Sequence, residues 1–289
     1  FTLTEGADAI VGTDADETFS ALATTNPVNG NLQDTLQAVD SIQGGDGNDT
    51  INIQLGSDGT AATVGATMSG VETFNVTAFQ GDTLNMSNVD GAESVTSKSS
   101  VGSLDVTNLA NIVELGIDST KADLTATFDA GALEGTTDEV TVNLAKADGN
   151  TVTIDGNGED AETLSVNATG GANKEQVTID GVAMDGAKTI NVTGDENVDL
   201  DLTANTAATV FNSTSTADVD ADLSGSDTDL TVTTLGGDDG IEIDNLNKSD
   251  SIDLGEGADT LTVSIDSAIT DAASISNVES LTVKSTGSN

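Results

Sequence analysis

Residues 44–52 read GGDGNDTIN: three glycines, two aspartates and an asparagine set ahead of Ile51. An ordinary surface turn uses one or two such residues. The stretch matches the nonapeptide G-G-x-G-x-D-x-U-x, in which U is a large aliphatic residue. Its glycines permit backbone angles that turn carbonyl groups inward, the sixth-place aspartate supplies a carboxylate, and the aliphatic residue pins the next strand into a core. Calcium takes six to eight hard oxygens at flexible geometry, so carbonyls and carboxylates together suit it. The reading assigns Ca²⁺ to the carbonyls of Gly44, Gly45 and Gly47 and to the side chains of Asp46, Asn48 and Asp49, with Asp49 the principal ligand. One nonapeptide supplies only about half a coordination shell, so a stacked neighbour has to complete it.

Neighbours of that kind occur toward both ends. GGDDGIEID (236–244) is followed by LGEGADTLT (254–262), and Gly236 and Gly255 are 19 residues apart, close to two nonapeptides. In that register Asp239 replaces the third glycine and Ile241 takes the aspartate place. Candidate ligands here are Asp259 and Glu256 with Gly255 and Gly257, then Asp238 and Asp239. EGADAI (5–10) and GTDADETF (12–19) are degenerate versions with Asp8 and Glu17 at the key place. Asp14, Asp16 and Glu17 form a third group that could face the first. The competing reading of all these segments is a set of glycine-rich β-turns with solvated acids. DGNGEDAE (155–162) and TGDENVD (193–199) read as such ordinary turns.

Between the glycine-rich segments the chain alternates with period two, as in Val140-Thr-Val142-Asn-Leu144, Ile190-Asn-Val192 and Leu261-Thr-Val263-Ser-Ile265. Each run has an aliphatic face and a polar face, the pattern of half-buried strands. Only NLQDTLQAVDSI (31–42) reads as a short helix. The class is all-β. VETFNV (71–76), AESVTS (92–97) and VELGI (113–117) place Glu72, Glu93 and Glu114 at equal 21-residue intervals, and AETLSV (161–166), AKTINV (187–192) and VESLTV (278–283) echo them. A period of 20–25 residues predicts a parallel β-solenoid, of the β-helix or β-roll kind, with Gly/Asp turns that bind calcium. Two antiparallel β-sandwich domains are the alternative. The expected organisation is a calcium-binding segment over 1–55, solenoid coils over 56–235, and glycine–aspartate turns with the final coils over 236–289.

The 289 residues carry 50 acids against 7 lysines and no arginine, for a formal charge of −43. Such a charge opposes compaction unless cations neutralise it. Halophilic adaptation is the other reading of the acidity. The charge argues against nucleic acid and anionic membrane as partners, since both need a basic surface. No stretch nears 18 consecutive apolar residues, so no bilayer insertion is expected. No basic leader with an apolar stretch precedes Phe1, which predicts a processed chain, a fragment, or export by another route. Histidine, cysteine, tyrosine and arginine are all absent, so the usual acid–base and nucleophilic repertoire is missing and no enzyme is expected. Aromatics total 2%, too few for the platforms of a carbohydrate cleft.

The nonapeptide, the opening FTLTEGADAIVGTDADETF and the phrases SGVETFNV and SNVESLTV resemble the RTX-type calcium-binding bacterial surface-layer proteins. The resemblance covers the ends best and lacks the long series of perfect nonapeptides usual in that family. It implies calcium-dependent folding, export without a cleaved leader, and self-assembly into a lattice or filament on the cell exterior, with cell-surface polysaccharide as a further partner. An adhesin or spacer module of a larger exported protein shares the same composition and is the alternative.

Overall fold

The computed structural model describes residues 1–147, 149–169, 176–180, 186–226, 229–266 and 272–285. It is all-β, built from short strands stacked in parallel as a β-solenoid, with no helix among the described residues. The chain forms two compact units, residues 1–133 with 155–157, and residues 134–154 with 158–289.

In the first unit the strands Thr18–Ala21, Thr50–Leu55, Thr73–Ala78, Ser94–Lys98 and Glu114–Asp118 pair in parallel, each from a successive coil. Thr50–Leu55 shows why they form. Ile51, Ile53 and Leu55 turn inward and are buried, while Thr50, Asn52 and Gln54 face outward. The register stacks Phe19, Ile51, Phe74, Val95 and Leu115 into one apolar column. Branched and aromatic side chains suit that pleated, half-buried surface. A second ladder runs through Thr63–Val64, Asp82–Asn85, Leu104–Leu109 and Leu124–Phe128. A third joins Ala9–Val11, Ser41–Gln43, Thr67–Ser69 and Val89–Asp90.

The second unit repeats the plan. One ladder runs from Glu139–Ala145 through Thr163–Thr169, Thr189–Gly194, Val210–Ser213, Thr231–Thr233 and Ser251–Asp253 to Ser274–Ser276. Another takes Gln176–Asp180, Val198–Asp201, Val219–Asp222, Gly240–Asp244, Thr260–Ile265 and Ser280–Ser285. Phe19, Phe74, Phe128 and Phe211 are fully buried, and Phe1 stacks on Phe19 with ring centroids 5.3 Å apart.

Three expectations change. The two-sandwich alternative does not hold, because the strand pairings among the described residues are parallel except for Thr24–Thr25 with Leu32–Gln33. The helix expected over 31–42 is absent. Leu32–Gln33 is a strand of that antiparallel pair, Ser41–Gln43 pairs with Ala9–Val11, and the Asp40 carboxylate caps the turn between them by accepting the Gln37 N–H at 2.7 Å. A local hairpin at one end and pairing with the preceding coil at the other thus outcompete a weak helical pattern. The equal spacing of the glutamates is not an equal stacking. Thr73 pairs with Ser94, so Glu72 and Glu93 are in line, but Ser94 pairs with Glu114, which sets Glu114 one residue further along. The coils there are 21 and then 20 residues long. No helix of the described residues is long and apolar enough to cross a membrane.

Candidate metal centre

The inner strands often begin with an acid, then Ser or Thr, then an apolar residue, as in Asp40-Ser41-Ile42, Asp49-Thr50-Ile51, Asp82-Thr83-Leu84 and Asp259-Thr260-Leu261. The acid sits at the corner where a turn enters a strand, and six such aspartates are buried: Asp40, Asp49, Asp82, Asp239, Asp250 and Asp259. Each accepts, with one carboxylate oxygen, a backbone N–H from the coil before it. Asp8 N–H reaches Asp40 at 2.9 Å, Ala62 N–H reaches Asp82 at 2.7 Å, and Leu230 N–H reaches Asp250 at 3.0 Å. Likewise Glu17 N–H reaches Asp49 at 2.6 Å, Val219 N–H reaches Asp239 at 2.8 Å, and Asp239 N–H reaches Asp259 at 2.8 Å. A buried carboxylate in this place clamps adjacent coils together.

The second oxygen separates the six into two kinds. In Asp40, Asp82 and Asp250 it accepts the N–H of the residue three places earlier: Gln37 at 2.7 Å, Phe79 at 3.0 Å and Asn247 at 2.7 Å. Those carboxylates are saturated by backbone donors. In Asp49, Asp239 and Asp259 the Oδ2 atom is buried and has no hydrogen-bond partner. These three side chains are only 0%, 2% and 0% exposed. A buried anionic oxygen left bare costs several kcal/mol, on the order of the desolvation penalty of an unpaired ion.

The turn before Asp49 shows what faces that oxygen. A β-carbon added to Gly44 would lie 1.6 Å from Gly70 O and 2.2 Å from Asp49 Oδ2, so a carbonyl and a carboxylate oxygen converge on the hollow that only glycine leaves. Two acceptors sharing one hollow repel, and a cation placed there would reverse the sign of that contact. At Gly45, with φ of +123°, an added β-carbon would meet Thr13 O at 1.8 Å. That angle lies in the left-handed half of the map, and the space belongs to the neighbouring coil's carbonyl.

Electrostatics agree in the second unit. Burial, first of all, pushes the Asp239 carboxyl up to about 6, while the Thr234 hydroxyl and the Val219 N–H act against the rise. The Thr234 hydroxyl also lies 2.7 Å from Leu254 O, to which it donates, and Asp239 Oδ2 has no hydrogen-bond partner. Burial also raises Asp259, with the nearby Glu279 and Asp238 charges adding to the effect.

The remaining candidates take several places. Asp14, Asp16 and Glu17 lie one coil before Asp46, Asn48 and Asp49; the Asn48 N–H donates to Asp16 at 2.9 Å. Glu17 is saturated by the Thr13 N–H at 2.8 Å and by the Thr13 hydroxyl, where the later turn has Gly45. Asp14, Asp16, Asp46 and Asn48 are exposed at the rim. In the second unit Asp238 accepts the Ala258 N–H at 2.9 Å, and Glu256 is exposed and bridges Gly236 through the backbone. Gly255 and Gly257 press on the carbonyls of Leu235 and Gly237, so no side chain fits at either. The 19-residue register is corrected to 20: Gly240 pairs with Thr260, which puts Asp239 opposite Asp259. Asp239, and not Ile241, is therefore the sixth-place residue of its turn.

Glu72 and Glu279 were not among the expected site residues. Glu72 accepts the Asp49 N–H at 2.7 Å and Glu279 the Asp259 N–H at 2.9 Å, completing chains of corner acids. The acid–Ser/Thr–apolar phrase at the start of a strand was the available signal for both. Among the described residues no three acidic side chains come close enough to hold a metal by themselves. A cation at these corners has to draw on main-chain carbonyls, as the hollow at Gly44 offers.

The distinction between the two kinds of corner acid has a measurable outcome. Asp49→Asn puts an amide N–H where the bare oxygen faces Gly70 O. In excess chelator it is expected to stabilise the protein by about 1–2 kcal/mol, the worth of satisfying a buried acceptor. Asp82→Asn takes an acceptor from saturated donors and should destabilise by a similar amount with or without calcium. Urea titration of both variants checks this; equal destabilisation would show that Asp49 is an ordinary cap.

No family model, no curated protein and no solved structure matches this chain. The class defined by fold and site is a highly acidic parallel β-solenoid with partnerless buried carboxylates at its glycine-rich corners.

Proposed function

We propose that this chain is an extracellular structural protein of the cell surface, which binds Ca²⁺ at its glycine–aspartate corners and self-assembles into a lattice or filament. The observation that carries the calcium reading is the set of buried Oδ2 atoms of Asp49, Asp239 and Asp259 without hydrogen-bond partners, the first of which shares the hollow at Gly44 with the Gly70 carbonyl. In the first unit Asp49 with the Gly44 and Gly70 backbone would hold the ion; in the second, Asp239 and Asp259 would. The bound cation supplies charge neutralisation and links one coil to the next. The chain's own residues set the clamp: Glu17 and Asp239 N–H groups orient the carboxylates, and glycine leaves the space.

The structural role rests on the repetitive build and on the lack of histidine, cysteine, tyrosine and arginine, which leaves carboxylates, lysines and hydroxyls as the only reactive groups. Heterologous contacts that do not close into a ring propagate without limit, and stacked coils offer unpaired strand edges for them. Electron microscopy and sedimentation of the purified protein, with millimolar calcium and with chelator, test the reading. Ordered arrays that dissolve in chelator are expected. A protein that binds calcium yet stays monomeric at high concentration would favour an adhesin or spacer module.

A further inference from the structure

The second ladder of the first unit starts one coil late. Its first strand, Thr63–Val64, pairs with Asp82–Asn85 on one side, and no described strand lies on the other. Where a preceding strand would run, the chain turns aside into the hairpin of Thr24–Thr25 with Leu32–Gln33. A slot of about 300 Å³ is left between residues 33–37 and residues 61–64, with the buried Leu36 and Leu55 beneath it.

The backbone along one wall of this slot is open to pairing. Ala62 directs both of its peptide groups at the next coil: its N–H donates to Asp82 at 2.7 Å, and its C=O accepts the Thr83 N–H at 2.8 Å. Successive residues of a strand turn these groups to opposite sides, so the N–H and C=O of Thr63 face the slot. Groups presented in this way are a template for another strand. The opposite wall is held in place. Asp34 accepts the Gly56 and Ser57 N–H groups at 2.8 and 3.0 Å, and the Gln37 amide donates to the Asp34 C=O at 3.0 Å. Walls ordered before contact lose little entropy on binding. Asp58, which also lines the slot, is exposed; the Thr60 hydroxyl and N–H hold its carboxyl below the ordinary carboxylate value. Two carboxylates and no lysine therefore line the slot.

We propose that this slot takes an extended segment of a partner protein carrying lysine or arginine, which adds to Thr63–Val64 as the missing strand. Main-chain bonds to Thr63 give the attachment, and the side chains along the strand give the selection. Asp34 and Asp58 supply the complementary charge. Residues 61–64 span roughly 10 Å, so about three or four residues of the partner engage. So short a contact buries far less than the ~1,200 Å² of a stable interface, and by itself it is weak and reversible.

The probe is the peptide acetyl-Val-Lys-Val-Lys-amide, titrated into the isotope-labelled full chain in millimolar calcium and followed by nuclear magnetic resonance. Saturable shifts at residues 33–37 and 61–64 are expected. Thr63→Pro removes the N–H that faces the slot and none that faces Asp82–Asn85, a change an edge strand tolerates. It should weaken binding about tenfold or more while circular dichroism stays that of the parent. A peptide methylated on its backbone nitrogens makes the same test without altering the protein and should bind as poorly. Asp58→Asn should weaken binding about two- to fivefold, in keeping with an exposed ion pair. Equal binding by a peptide with norleucine for lysine overturns the basic partner. Undiminished binding by Thr63→Pro, or of the methylated peptide, overturns strand addition and leaves a general attraction of cations to an acidic chain. No saturable shift at millimolar peptide overturns the site.

Discussion

Millimolar calcium should raise the stability of this protein by roughly 5 kcal/mol at neutral pH, with a melting temperature many degrees above that in chelator. The figure follows from mass action. A site filled at a hundred times its dissociation constant contributes about 2.7 kcal/mol, and one such centre in each unit doubles it. Natural domains are stable by only about 5–15 kcal/mol, so a shift of this size decides whether the corner coils stay folded. The structural cause is local. Asp49, Asp239 and Asp259 each bury an anionic oxygen with no donor, and a cation turns that penalty into a bond between coils. Differential scanning calorimetry with added calcium, with magnesium at the same ionic strength, and with chelator separates specific binding from screening. Magnesium demands rigid octahedral geometry and dehydrates reluctantly, so it should give a small part of the effect. Identical melting in calcium and magnesium would reduce the acidity to a general demand for counterions, as in a halophilic protein.

The calcium-free protein should also be more stable at pH 5 than at pH 7.5, by about 1.4 kcal/mol from Asp239 alone, since its carboxyl moves from 3.8 to about 6 on folding and pH 5 lies one unit below the folded value. The folded chain then holds a proton that the unfolded chain has released. Between pH 4 and 6 the native state binds more protons, so stability falls as pH rises through that window. Asp259, Asp199 and Asp220 are raised too and act in the same direction. Calcium should reverse the trend, because its ligands must be ionised, so that the loaded protein is expected to be most stable near neutrality. Chemical denaturation at five pH values, in chelator and in calcium, reads both slopes. If chelated protein gains stability from pH 5 to 7.5, the raised carboxyls are not governing the equilibrium. Asp239→Asn should flatten the chelator slope without touching Asp49.

Much of the molecule is legible from short range. Alternation in Thr50–Leu55 or Thr163–Thr169 follows from a period of two with one apolar face, which a half-buried strand satisfies whatever its partners. Recurrence near 20 residues made stacking in parallel the economical way to bury those faces, and the glycine-rich corners marked where coils turn. Tertiary structure decided what no local pattern contains. NLQDTLQAVDSI has helical spacing, yet one end is claimed by a hairpin with Thr24–Thr25 and the other by a strand of the preceding coil, and Asp40 caps the turn they leave. Glu114 keeps the interval of Glu72 and Glu93 but not their column, because register is set by paired backbones and not by residue count. Asp239 lies opposite Asp259 for the same reason. Above all, Asp49 and Asp82 begin similar phrases, Asp-Thr-Ile and Asp-Thr-Leu. One is bare and the other saturated, because the fate of a corner carboxylate depends on which N–H groups its own turn and the neighbouring coil bring to it.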